Sequence, residues 1–179
     1  MNAQKGWNLA LAALALLLWT WDLTCAAAGT STNTTSPPYF RLSQLGEAKA
    51  KAKADGKPIV WIASFPGSMT PIKNPMGAGS HAATYHAYLT FYRDAVVVWS
   101  DSDAENHREP AIVDGELHTP DAHYTAPGVI ALRPDLDKVI GKVFHISDGK
   151  ERAAAYAELL KKVRDKASWG GAQPPKTGK

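Results

Sequence analysis

The side chains with the widest chemical reach in this chain are six histidines and three methionines, and most of them fall in two stretches. Met69, Met76, His81 and His86 bring thioether and imidazole donors to the start of a helix, a soft set that suits copper more than zinc. Their spacing is loose. His81 and His86 are five positions apart and diverge on a helix, whereas a metal-binding helix places its pair at i and i+4. Methionine beside a helix is also ordinary core filler. His118, Asp121 and His123 form the second group, with donor types suited to a divalent cation, in a stretch where histidines are usually just solvated. A copper or zinc function on His81, His86, His118 and His123 is the alternative reading of the chain; the preferred reading carries no cofactor.

Nucleophilic chemistry has little to build on. Ser68 follows Gly67 but lacks the Gly-x-Ser-x-Gly elbow, and a histidine base and an orienting acid would have to be gathered by the fold. Asp101 and Asp103 follow an apolar strand at its carboxyl end, where α/β sheets place ligands; they could equally cap the next helix. The single cysteine, Cys25, lies in a leader. There, Lys5, the apolar run from Leu9 to Trp19, and Ala26, Ala27 and Ala28 before Gly29 have the order of a secretory signal. The apolar run is shorter than the about 20 residues that span a bilayer, and Asp22 interrupts it. Residues 1–28 are therefore expected to be a signal peptide, and the protein to be exported, periplasmic or secreted, with no stable transmembrane span in the mature chain. Lipidation of Cys25 is the alternative; Asp22, Leu23 and Thr24 before it are a poor match to a lipoprotein signal. With Cys25 removed, no thiol remains, and one hydrophobic core must hold the domain.

Net charge is +3 with neutral histidines, weak attraction for any polyanion, so nucleic acid is not an expected partner. Lys49, Lys51, Lys53 and Lys57 alternate with small residues and belong to the solvated side of a helix. Residues 29–38 and 170–179 are rich in small, polar and proline residues and are expected to be a flexible leader and tail. The folded domain is expected over residues 39–169.

Within it, Ser43 is placed to cap a helix running to Ala54, with Gly56 where a left-handed residue ends it. Pro58–Phe65 is β-rich and apolar enough for a strand covered on both faces. Two prolines and two glycines make Ser68–Gly79 a loop. A helix from Ser80 to about Arg93 puts Tyr85, Tyr88, Leu89 and Tyr92 on one face, and Ala95–Trp99 is the next strand, giving a parallel βαβ unit. Residues 101–124 resist assignment, with a short helix possible after Asp103. Gly128–Arg133 and Lys138–Phe144 predict a hairpin around Pro134–Asp137. Asp148 and Glu151 predict a capping box for a last helix with Ala153, Tyr156, Leu160 and Val163 inward. Trp61 and Trp99 are expected core residues of adjacent strands. The fold class expected is α/β, a central mixed sheet with a parallel βαβ unit and a C-terminal ββα unit, helices on both faces.

This order, together with Ala48–Phe65, which contains Gly-Lys-Pro before an apolar strand, and the Tyr124–Leu132 stretch with Pro127 ahead of a strand, resembles the thioredoxin superfamily, particularly exported members. The resemblance covers roughly residues 42–167. It implies a thioredoxin-like fold with a cis-proline at Pro127 and a Cys-x-x-Cys motif after the first strand of the βαβ unit. Ser68, Met69, Thr70 and Pro71 stand there instead. Thiol-disulfide exchange needs a thiolate, which serine does not supply, so oxidoreductase activity does not carry over. What does carry over is the family's habit of holding an extended peptide beside the proline. That makes Ser68, Met69, Thr70, Pro71, Ala126 and Pro127 the expected peptide-binding residues of a non-catalytic binding or accessory module, with a peptide or protein partner in the cell envelope.

Overall fold

Two apolar runs, Ile59–Ser64 and Val96–Asp101, supply the centre of the sheet because nearly every residue in them is shielded from water on both faces. The computed structural model describes residues 39–65, 67–101, 109–122 and 126–169; the expected signal peptide, leader, tail, Cys25, Asp103 and His123 lie outside them. The strands are β1 (Phe40–Arg41), β2 (Ile59–Ser64), β3 (Val96–Asp101), β4 (Gly128–Leu132) and β5 (Val139–Val143). The helices among the described residues are α1 (Leu45–Asp55), α2 (Ser80–Phe91), α3 (Ala111–Leu117) and α4 (Gly149–Arg164). The five-stranded sheet has the order β1-β3-β2-β4-β5. β3 runs parallel to β1 and β2, and β4 is antiparallel to both β2 and β5. The fold is thus α/β with a mixed sheet.

Strand alternation divides the core in two. Val60, Ile62, Val97, Val129 and Ala131 meet Ala87, Tyr88 and Phe91 of α2 and Tyr156, Leu159 and Val163 of α4. Ile59, Trp61, Val98, Ile130 and Leu132 meet Ala48 and Ala52 of α1 and Val113 of α3 on the other face. Trp61 is fully buried and its indole Nε1–H donates to Ser100 Oγ at 2.8 Å, so this large core side chain leaves no polar atom unsatisfied. Trp99, in register with Ile62 on the adjacent strand, lies in the opposite core.

Several expected details change. Ser43 does not cap α1; it lies in a short 3-10 turn, Leu42–Gln44, and the Gln44 side chain accepts from the Arg41 backbone N–H at 3.1 Å. The alternation in α1 does place Ala48 and Ala52 inward, and Gly56 ends the helix at φ 59° and ψ 36°, a left-handed conformation that glycine adopts without steric cost. On α2 the buried stripe is Ala83, Thr84, Ala87, Tyr88 and Phe91, so Leu89 points outward at 39% exposure and Tyr85 and Tyr92 are half-buried. The aromatic spacing was one helical face, but small residues next to it let α2 approach the sheet more closely than tyrosines would. The unassigned stretch contains α3, which tolerates Gly115, followed by a 3-10 turn at Pro120–Ala122. On α4, Asp148 accepts from the N–H groups of Lys150 and Glu151 as the expected cap, but the buried stripe is Arg152, Tyr156, Leu159 and Val163. No helix among the described residues is long and apolar enough to cross a membrane.

Candidate functional site

The register Ala63↔Gly128 between β2 and β4 brings the exit of β2 beside the approach to β4. Ser64 and Phe65 follow Ala63 in the chain, and Pro127 and Ala126 precede Gly128, so both segments leave the sheet at the same end. The Ala126–Pro127 bond is cis. Ser68, Met69, Thr70 and Pro71 follow β2 immediately, so the fold gathers the six sequence-derived residues at one end of the sheet.

They differ sharply in access. Ser68 is 4% exposed. Its hydroxyl lies 2.5 Å from the Phe65 carbonyl oxygen, to which it donates, and 2.8 Å from Ser64 Oγ. Ser64 Oγ in turn meets Thr84 Oγ1 at 2.6 Å, and Thr84 donates to the Ser80 carbonyl at 2.7 Å. This buried series of hydroxyls ties the loop after β2 to the first turn of α2. Among the described residues Ser68 Oγ meets the Phe65 carbonyl and Ser64 Oγ, neither of them a general base. Met69 is also buried, in the core against α2 and α4. Thr70 and Pro71 are exposed, Ala126 is half-buried and Pro127 is buried. Phe65, which the sequence reading passed over, is exposed at 37%. Its signal was available: it ends an apolar strand and precedes Pro66, where a side chain leaves the sheet.

The histidines among the described residues do not converge. His81 Nε2 sits 3.1 Å from Thr70 Oγ1 and 3.0 Å from the Thr70 carbonyl oxygen, steadying the loop from the start of α2. His118 Nδ1 lies against Asp114, 2.8 Å from its carbonyl oxygen and 3.2 Å from its carboxylate. His86 faces inward instead, its ring 5.2 Å from that of Tyr156. Among the described residues no three histidine, cysteine, aspartate or glutamate side chains form a group able to hold a metal ion. Met69 is taken up by the core and Met76 is exposed on the loop at 39%.

The residue that organises this end of the molecule is one the sequence reading missed, Arg152. It is fully buried on α4. One guanidinium nitrogen donates to the carbonyls of Ile146 at 2.9 Å and Ser147 at 3.3 Å, and the other to Pro75 at 3.2 Å and Gly77 at 3.0 Å. Nε points at His86 Nδ1, 3.5 Å away. A planar fork with fixed donor directions can reach two loops at once, which a lysine cannot. Gly149 completes the junction: a Cβ there would collide with the Met76 carbonyl oxygen. Arg152 and Gly149 thus hold the loop that runs from Thr70 into α2 against the start of α4.

Burial, and then the Arg152 charge, hold the imidazoles of His86 and His145 below their ordinary pKa of 6.5. The unfolded chain consequently binds more protons than the folded one once pH falls through 6.5, and stability declines in that direction, by at most about 1.4 kcal/mol per pH unit for each group. Urea unfolding at pH 7.5 and pH 5 is expected to show lower stability at pH 5, and a His86→Gln/His145→Gln double variant to flatten the slope. A profile that is level over this range, or unchanged in the double variant, contradicts the assignment.

Comparisons with protein families, with curated proteins and with solved structures found no match to this chain.

Proposed function

We propose that this protein is an exported, thioredoxin-like binding or accessory module of the cell envelope, without dithiol chemistry, that holds an extended polypeptide segment across the exit of β2 beside Ala126 and Pro127. Support for the fold name comes from the strand order β1-β3-β2-β4-β5 with α1 and α3 on one face and α2 and α4 on the other. Support for export comes from Lys5, the apolar Leu9–Trp19 run and Ala26–Ala28. The sole cysteine is Cys25, far from Ser68 in the chain, so no dithiol is available for exchange at the sheet's end.

The observation that carries the binding reading is the exposed Phe65 side chain at the β2 exit, one residue beyond the strand whose Ala63 pairs with Gly128, with Thr70 and Pro71 of the following loop also exposed. An aromatic side chain on a well-held surface is the usual anchor for a bound segment, while main-chain hydrogen bonds suit an extended partner. Ser68 and Met69 act here as support: their buried contacts hold the surface and do not touch the partner. The copper or zinc alternative on His81, His86, His118 and His123 has no converging donor set among the described residues.

The test is fluorescence anisotropy with a panel of labelled, extended peptides. Binding is expected for apolar-containing peptides and is expected to weaken about tenfold or more in Phe65→Ser, the loss typical of a truncated aromatic anchor. Leu89→Ser removes an equally exposed apolar side chain near the far end of α2 and should leave binding unchanged. Equal loss in both variants, or no binding by any peptide, overturns the proposal.

A further inference from the structure

Arg152, His86 and His145 bring three nitrogen-bearing side chains to the place where the loop after β2, the middle of α2 and the start of α4 meet. The guanidinium is shared between the carbonyls of Pro75 and Gly77 in that loop and those of Ile146 and Ser147 ahead of α4. No carboxylate pairs with it among the described residues. His86 turns Nδ1 toward Arg152 Nε, 3.5 Å away, which makes that nitrogen an acceptor in the neutral ring. His145 Nε2 lies 3.2 Å from Ser147 Oγ, while its Nδ1 is buried with no hydrogen-bond partner among the described residues.

The neighbouring ionisable groups supply no negative charge in contact with this junction. Tyr156 of α4 sets its ring 5.2 Å from that of His86, and burial pushes its phenol up, so it stays neutral. The Asp148 carboxylate is held by the backbone N–H groups of Lys150 and Glu151, whose own side chains are exposed on the first turn of α4. Lys73, also exposed, is the charged side chain of the loop, and His81 on the first turn of α2 faces Thr70. Among the described residues Arg152 is the charge that acts on both imidazoles. Protonating His86 therefore sets a donor against a donor, and protonating His145 leaves a buried N–H without an acceptor beside a fixed cation. Moving the loop away from α4 admits water to both rings and removes the conflict. Ser68 and Met69 are buried at the start of the loop, so the part free to move begins at Thr70.

We propose that this junction is an acid-sensitive latch: protonation of His86 and His145 detaches residues 70–79 from α4 while the sheet stays folded, and withdraws Thr70 and Pro71 from the peptide-docking surface. The effect on docking rests on the reading given above; the release of the loop does not. The sign follows from linkage. With the loop closed both rings titrate below 6.5, and with it open they regain the ordinary value, so the open form gains weight as pH falls through 6.5, by up to about tenfold per pH unit for each ring.

The test is hydrogen exchange followed by NMR on the purified full-length protein at pH 7.5 and pH 5.5, corrected for the pH dependence of intrinsic exchange. Protection at the Met76 and Gly77 amides and the Arg152 Nε–H is expected to fall about tenfold or more at pH 5.5, with a smaller fall at the Val60 and Ile62 amides of the central strand. In His86→Gln/His145→Gln the fall is expected to disappear. Should that variant not fold, the imidazole titrations of the unaltered protein serve instead, and their midpoints are expected to coincide with that of loop release. Unchanged protection at pH 5.5, an equal fall in the double variant, midpoints that differ from that of release, or release only together with the central strand overturns the latch. Anisotropy with a labelled peptide on the same samples reads the consequence: binding is expected to weaken about tenfold at pH 5.5 in the unaltered protein and to hold in the double variant. Undiminished binding with the loop released overturns the coupling to docking. No peptide binding at either pH, with the loop still released by acid, overturns the docking reading and leaves the latch in place.

Discussion

Arg152→Met is expected to lower the unfolding free energy by about 3–5 kcal/mol, the range seen when one member of a buried charged arrangement is removed. The side chain is fully buried and reaches the carbonyl oxygens of Pro75, Gly77, Ile146 and Ser147. Methionine fills part of the volume but donates nothing, so four carbonyl acceptors in part-buried bonds lose their donor together. Arg152→Lys keeps the charge yet cannot fork between the two loops, and should recover only part of the loss. Urea denaturation measures both. Hydrogen exchange should in addition show faster exchange at Met76 and Gly77, whose loop Arg152 fastens. A loss below about 1 kcal/mol for Arg152→Met would mean that the loop is held by other contacts.

Trp61→Ala is the second large effect, about 3–5 kcal/mol by the precedent of aromatic-to-alanine changes in cores. Trp61 is fully buried on β2, between β3 and β4 and under α1 and α3. Removing it opens a cavity that neighbouring strands cannot close without breaking their register, and it strips Ser100 Oγ of its donor. Trp61→Phe keeps most of the volume and should cost less, chiefly through the lost hydrogen bond. Chemical denaturation of the pair separates packing from polar satisfaction. Equal losses would place the whole effect on the indole N–H.

The comparison of these two residues shows what a sequence reveals. Trp61 was legible because it sits in an unbroken apolar run whose covering on both faces follows from composition alone. The same logic reached β2, β3, the β4–β5 hairpin, α2 and α4, because each has a strong period or a turn signal. Arg152 was not legible, although Arg152, Tyr156, Leu159 and Val163 share one stripe of α4. A charged residue on an apolar stripe is ordinarily taken for solvent-facing, and only the fold shows that main-chain carbonyls from two distant loops converge on it. Two-residue β1 is too short for any periodic signal. Leu89 was misplaced because hydrophobicity outweighed size in the sequence reading, while the sheet packs against the alanines of α2. At the candidate site, position in the chain identified the right end of the sheet but not which side chains reach solvent. Ser68 and Met69 turned inward, and Phe65 turned outward.

The most direct measurement is backbone amide NMR of the protein with and without a bound extended peptide, mapped onto the sheet. The account predicts shifts concentrated at Phe65, Gly67, Thr70, Ala126 and Gly128, with Ser68 moving least among the loop residues because its side chain is buried. Shifts centred on His81, His118 or the outer face of α2, with the β2 exit silent, would contradict it.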